Sequence, residues 1–169
     1  MKHLTTETLG CDLGDKTSVI CVLKEDDTTE RHRVKTTPVA LQQFFTRPAA
    51  HVVIEVGTHS RWVSSLLEPL GHRVTVANPR RVKVIGQSDT KTDWSDAELL
   101  ARLGRADASL LAPVEHRSKQ AHADLAVAKS RDVLVATRTK LVNHIRCVVK
   151  SFGERLLKCT TESFHRRTH

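Results

Sequence analysis

Asp12, Glu55, Asp93 and Asp96 are the residues whose types and positions could do chemistry: four carboxylates, each at the edge of a regular segment, in a chain otherwise crowded with cations. The chain carries 27 Lys and Arg against 19 Asp and Glu, a formal charge of +8 and a pI near 9.7. Its summed field therefore draws in polyanions such as phosphate backbones. Carboxylates set inside such a chain fit a divalent metal site working on phosphodiesters. Magnesium takes octahedral oxygen ligation and enters such sites through a few carboxylates plus substrate phosphate. Two ions about 3.5–4 Å apart can activate an attacking oxygen and stabilise a leaving one, provided several carboxylates converge to hold them.

Each acid taken alone has a plain structural explanation. Asp12 suits a turn, Asp93 or Asp96 a helix cap, and Glu55 the partner of a buried arginine; the charge itself can be a solvated positive face. Taken together, two acids in apolar strands and two at a helix start are costly unless cations compensate them.

The surrounding elements must bring these acids together. Residues 8–13 and 18–23 are short apolar segments joined by Gly14-Asp15-Lys16-Thr17, which predicts a β-hairpin with Asp12 at the end of its first strand. Residues 30–35 form a third antiparallel strand after the acidic turn Glu25-Asp26-Asp27. A helix starts at Thr37, with Pro38 in its first turn and Leu41, Phe44 and Phe45 facing inward. Residues 51–56 are an apolar run interrupted only by Glu55, the pattern of a strand covered on both faces by helices. Residues 61–70 place Trp62, Leu66, Leu67 and Leu70 at helical spacing with Gly71 just beyond, and residues 73–77 give a further strand. A hairpin followed by strands alternating with helices predicts an α/β fold, a mixed sheet with helices packed against it. Asp93 or Ser95 is expected to cap the next helix, which packs through Ala97, Leu99, Leu100 and Leu103. Asp93 and Asp96, three residues apart, share one face at its start and turn toward the sheet's edge.

Asn78-Pro79-Arg80-Arg81 opens a basic stretch that runs through Lys83 to Lys91, with a loop signal at Gly86, Gln87, Ser88 and Asp89. Pro113 marks a domain edge, dividing residues 1–113 from a helical extension over 114–157 and a basic tail over 158–169. Residues 118–152 contain neither Pro nor Gly, and Leu134, Leu141, Ile145, Val148 and Phe152 keep an approximate heptad spacing, which predicts one long amphipathic helix. Its opposite surface carries Lys129, Arg131, Arg138, Lys140, Arg146 and Lys150. Packing against the domain or another subunit and binding of nucleic acid are both open for this helix. The candidates for phosphate contact are Arg80, Arg81, Lys83 and Lys91 in the loop and Arg138, Lys140 and Arg146 on the helix.

Composition narrows the classes further. There is no Tyr and only 4% aromatic residues, so few platforms exist for stacking unpaired bases, and a phosphotyrosine mechanism is excluded within this chain. Cys11, Cys21, Cys147 and Cys159 show no C-x-x-C pairing and read as reduced, structural thiols of a cytosolic protein. Cys159, His165 and His169 are zinc-ligand types in loose array at the tail, and zinc is not expected there. No apolar run reaches the ~18 residues that crossing a bilayer needs, and the first residues lack the apolar centre of a signal peptide. An intracellular, soluble protein is expected.

Leu9-Gly10-Cys11-Asp12-Leu13-Gly14, Val53-Ile54-Glu55-Val56-Gly57-Thr58, Ala77-Asn78-Pro79 and Lys91-Thr92-Asp93-Trp94-Ser95-Asp96-Ala97 resemble the amino-terminal half of the DEDD transposases of insertion sequence family one hundred ten. The resemblance covers residues 8–157, and the K-T-D-x-x-D-A match after A-N-P is its most specific part. It implies a RuvC-like, ribonuclease-H-type fold with Asp12, Glu55, Asp93 and Asp96 as a catalytic acidic tetrad that binds magnesium, with manganese as a substitute. It also implies DNA and a structured guide RNA, the bridge RNA, as partners and a homo-oligomer assembled on both; no membrane partner and a cytoplasmic, nucleoid-associated location in a prokaryote are expected. Family members continue into a second domain that carries a serine nucleophile. This chain reaches His169 without it, and Ser60, Ser64, Ser65 and Ser88 are ordinary surface-type serines, so a truncated transposase or an isolated RuvC-like domain is expected.

Three rival readings stay open. One is a junction-resolving or nicking endonuclease that needs only this domain; another is a non-catalytic RNA- or DNA-binding module. The third is an actin-like or sugar-kinase-like phosphotransferase, because Asp12-Leu13-Gly14 followed by Lys16-Thr17 resembles the first phosphate loop of that superfamily. Such enzymes need a second related subdomain, for which 169 residues leave little room.

Overall fold

The computed structural model of the chain describes residues 7–80 and 92–166. The chain divides into two compact units, Met1–His116 and Arg117–His169. Arg81, Lys83, Lys91, the loop signal at Gly86 to Asp89, and His169 lie outside the described residues.

The first unit is built on one sheet of five strands, β1 (Thr8–Asp12), β2 (Thr17–Leu23), β3 (Thr29–Lys35), β4 (His51–Glu55) and β5 (Arg73–Ala77), in the order β3-β2-β1-β4-β5. β1, β2 and β3 pair antiparallel, whereas β4 lies parallel to β1 and β5 parallel to β4. The connections explain this division. Short turns return the chain beside itself through β3. The later passages run through the helices α1 (Pro38–Phe45) and α2 (Ser60–Leu67), which restore the direction of β1.

The central strands are apolar because both their faces are covered. Leu9, Cys11, Val52 and Ile54 pack with Leu41 and Phe45 of α1 and with Val63 and Leu67 of α2. On the other face Val53 packs with Leu100 and Leu103 of the helix α3 (Asp93–Ala106). β3 is an edge strand, and most of its residues alternate between half-buried and exposed, which accounts for its less regular sequence pattern.

Local chemistry sets the ends of these elements. Thr37 caps α1, its hydroxyl accepting from the Ala40 amide at 3.3 Å, with Pro38 in the first turn. α2 gives way after Leu67 to a 3-10 turn, Glu68–Leu70, and Gly71 follows in the left-handed conformation at φ 91°. His72 is buried beside it: the Ala50 amide donates to its Nδ1 at 3.2 Å, and its Nε2 donates to the Phe45 carbonyl at 2.8 Å. One imidazole thus fastens the end of α1 to the start of β4. At the far end of α3, Arg105 donates to the carbonyls of Leu23 and Lys24 and lies 3.2 Å from the Asp27 carboxylate, holding the helix to the β2–β3 turn.

The second unit is the helix α4 (Lys119–Ser151) and the segment that folds back along it. The Ser118 hydroxyl caps α4 by accepting from Ala121 at 3.1 Å, and Gly153 at φ 82° ends the helical path. Arg146 donates to the Cys159 carbonyl and sits 5.7 Å from the Phe164 ring centroid, and Arg138 lies 3.6 Å from Glu162. Phe164 and Val142 are buried there. The heptad-spaced residues Leu134, Leu141, Ile145, Val148 and Phe152 remain exposed along α4, up to 80% at Phe152.

Candidate metal and phosphodiester site

Asp12 and Glu55 are the last residues of β1 and β4. These strands are parallel neighbours with Gly10 opposite Val53 and Cys11 opposite Ile54, so the two acids are the next residues on each strand. Strand side chains alternate between faces. Val53 and the position of Gly10 face α3, which directs Asp12 and Glu55, each two residues further on, to that same face. Both are half-buried.

α3 runs against the strands. A Cβ at Gly10 would collide with the Ala97 carbonyl and lie 2.5 Å from the Ala101 amide nitrogen. A Cβ at Gly104, one to two turns further along, would collide with Val53 and reach His51 and Thr8 at 3.5 Å. Helix positions advance as strand positions retreat, so the first turn of α3 overlies the carboxyl-terminal edge of the sheet. Trp94 in that turn packs in the cluster that contains Val19, the β2 residue paired with Asp12. Asp93 and Asp96 both belong to this turn, Asp93 exposed and Asp96 half-buried.

The cap of α3 differs from the sequence expectation. Thr92 is the N-cap, with Ser95 completing a reciprocal capping box: the Thr92 hydroxyl accepts from the Ser95 amide at 3.2 Å, and the Ser95 hydroxyl accepts from the Thr92 amide at 3.0 Å. Asp, Ser and Thr are near-equal caps by type, so composition does not choose among them. Asp93 and Asp96 are therefore acids of the first turn rather than the cap, a place where negative charge complements the helix dipole. A fifth acid, Glu98, is committed elsewhere. It meets Arg102 at 2.8 Å and Arg31 at 3.3 Å, and the Arg102 hydrogen bond, followed by that from Arg31, holds its carboxyl below the ordinary range.

The structure thus brings the ends of β1 and β4 and the start of α3 to one edge. Among the described residues, however, no three His, Cys, Asp or Glu side chains are gathered closely enough to hold a metal ion. Arg80, exposed, follows β5 at this same edge, where the Asn78 side chain accepts from its amide at 3.1 Å. Of the helix candidates, Lys140 is exposed, while Arg138 and Arg146 are engaged by the folded-back segment. Cys11 and Cys21 lie inside the sheet, and burial is the leading cause that pushes both thiols above their ordinary range.

One group at this edge has no counterpart among the sequence-derived candidates. His59, in the loop after β4, accepts at Nδ1 from the Trp62 indole N–H at 3.0 Å, and its Nε2 lies 3.9 Å from an Asp15 carboxylate oxygen in the loop after β1. The only sequence signal is a histidine four residues beyond Glu55 with a tryptophan three residues later.

A mixed sheet in the order β3-β2-β1-β4-β5, with helices on both faces and acids at the carboxyl-terminal edge, is a RuvC-like, ribonuclease-H-type α/β arrangement. Residues 9–153 match the IS110-type DEDD family described as transposase, and the chain belongs to that family. It is similar to the transposase for insertion sequence element IS1328 of Yersinia enterocolitica, with 29% identity over 148 residues, which is 86% of this chain and 42% of that relative. The chain therefore spans less than half the length of the curated relative it matches. No helix among the described residues is long and apolar enough to cross a membrane.

Proposed function

We propose that this chain is the RuvC-like domain of a DEDD transposase, which binds DNA together with a structured guide RNA and holds divalent metal, magnesium by preference, for cleavage of a DNA phosphodiester. The observation that carries this reading is the parallel register of β1 and β4, with Asp12 and Glu55 leaving their strands side by side under the acidic first turn of α3. The donor set fits the ion: four carboxylates are hard oxygen ligands of the kind magnesium and manganese take. Asp12, Glu55, Asp93 and Asp96 would hold it, and when bound it supplies Lewis-acid stabilisation of charge on the phosphodiester. The protein's own contribution is positional. The strand ends fix two carboxylates, the helix start offers two more, and Arg80 with Arg81, Lys83 and Lys91 supplies cations for the flanking phosphates. In the second unit, Lys140, Arg138 and Arg146 are the candidates for phosphate contact.

The test is cleavage of branched and duplex DNA by the chain with magnesium or manganese. Cleavage is expected, with loss of at least about a hundredfold in Asp12→Asn and in Asp93→Asn at unchanged thermal stability. Full activity in both variants would remove the metal site from these residues. A binding-only reading is favoured by one observation, the absence among described residues of three converging ligands. It predicts salt-sensitive nucleic-acid binding that survives both substitutions, with no cleavage at any metal concentration.

A further inference from the structure

His59 belongs to neither the acids nor the cations of the proposed site, yet its environment is built. The Trp62 indole N–H can only donate, so Nδ1 is the acceptor of the 3.0 Å bond and the ring proton resides on Nε2. The two rings meet edge to face, with centroids 5.9 Å apart at 90°, which fixes the plane of the imidazole as well as its tautomer. Its backbone is held as firmly. The Ser60 hydroxyl donates to the Gly57 carbonyl at 2.8 Å and accepts from the Gly57 amide at 3.1 Å, closing the turn between β4 and α2.

The oriented Nε2–H points across the sheet's edge, from the loop after Glu55 to the loop after Asp12. Asp15 stands there at 3.9 Å, longer than a hydrogen bond, and its side chain is 90% exposed. Among the described residues no acceptor stands within hydrogen-bond distance of Nε2, and the facing carboxylate extends into solvent, so the oriented donor is arranged to receive an anionic oxygen from outside. The second loop is itself pinned, because the Thr36 hydroxyl donates to the Gly14 carbonyl at 2.8 Å.

We propose that the Nε2–H of His59 is a binding position for a non-bridging phosphate oxygen of the DNA strand that crosses this edge. Trp62 acts as its positioning residue. The proposal rests on the reading of this edge as a nucleic-acid site. It adds a neutral, directional contact to the cationic ones: lysines and arginines draw the backbone in, and a fixed N–H sets where along it the strand stops.

Replacement by amides separates this role from a structural one. The amide nitrogen of Gln occupies the place of Nε2, whereas the side-chain end of Asn occupies the place of Nδ1. Affinity of the whole chain for a fluorescein-labelled DNA duplex is measured by anisotropy at one fixed pH over a series of salt concentrations. In His59→Ala and His59→Asn it is expected to fall about three- to tenfold, the worth of one hydrogen bond. In His59→Gln it is expected to stay within about twofold of the parent, and the salt slope is the same in all, since an uncharged donor displaces no counterion. Trp62→Phe, which keeps an aromatic ring beside the imidazole but removes the indole donor that fixes its tautomer, should weaken binding by an intermediate amount. Rescue by Asn and not Gln, or unchanged affinity in all four variants, overturns the proposal while leaving the nucleic-acid reading intact. No binding by the parent chain removes both. Should the substitutions unfold the protein, the long-range ¹H–¹⁵N spectrum of the parent decides: a Nε2–H tautomer whose signal shifts on adding duplex supports the contact, and a signal that stays put excludes it.

Discussion

His51 begins β4, 7% exposed, and its Nε2 shares a 2.8 Å hydrogen bond with the Thr75 hydroxyl of β5. Burial first, and the nearby Arg73 charge second, lower its pKa in the folded chain. The fold favours the neutral ring, while the unfolded chain takes up a proton near about pH 6.5. The stability His51 supports is therefore complete above that pH and is lost as pH falls through it toward the folded value. In urea titrations, His51→Gln should show a smaller stability difference between about pH 7.5 and pH 5.5 than the parent; an equal or larger one would place the acid sensitivity elsewhere. Such roles are hard to read from a sequence. His51 looks like the first residue of an apolar strand, and His72 like a loop residue. Each is defined by partners 22–27 residues away that only the fold supplies.

The strands and helices are far more legible than their joints. Alternation and apolar runs mark β1, β2 and β4, because burial on one or both faces leaves a period that a sequence shows directly. The cap of α3 is not legible in this way, since four successive residues, Thr92 to Ser95, include three good capping types and only the reciprocal Thr92–Ser95 geometry decides. Pattern alone places the acids at element edges. Their relation in space depends on strand register and on the direction of α3, which pairwise spacing does not encode. The cap has a functional bearing, because it orders the turn that carries Asp93 and Asp96. Thr92→Ala should cost about 1 kcal/mol in urea unfolding. It should also speed amide exchange in residues 93–96 selectively. Uniform change along α3 would mean that the helix start is held by other contacts.

For the molecule as a whole, the division at His116 and Arg117 separates a unit with its own sheet and two-sided core from one made of a single helix and its return segment. We expect residues 1–116 to fold alone, giving a dispersed amide spectrum and a cooperative urea transition, whereas α4 with its exposed apolar series needs company. If the second unit helps to neutralise the phosphate backbone, its removal should also flatten the salt dependence of nucleic-acid binding, by about 0.9 in logarithmic slope for each phosphate that is no longer paired with a cation. A collapsed, non-cooperative 1–116 fragment would show that the two units fold as one.

If the acids hold a metal ion, the close approach at Gly10 bears on which ion they take. With no side chain there, the backbone of α3 rests directly on β1, and the height of the helix above the sheet is set by two glycines, Gly10 and Gly104. Under the proposed reading, that height is also the gap between the strand-end pair of carboxylates and the helix-start pair. Ionic radius would then be selected by residues that never touch the ion: a methyl group at position 10 would lift the helix and open the gap toward cations larger than magnesium.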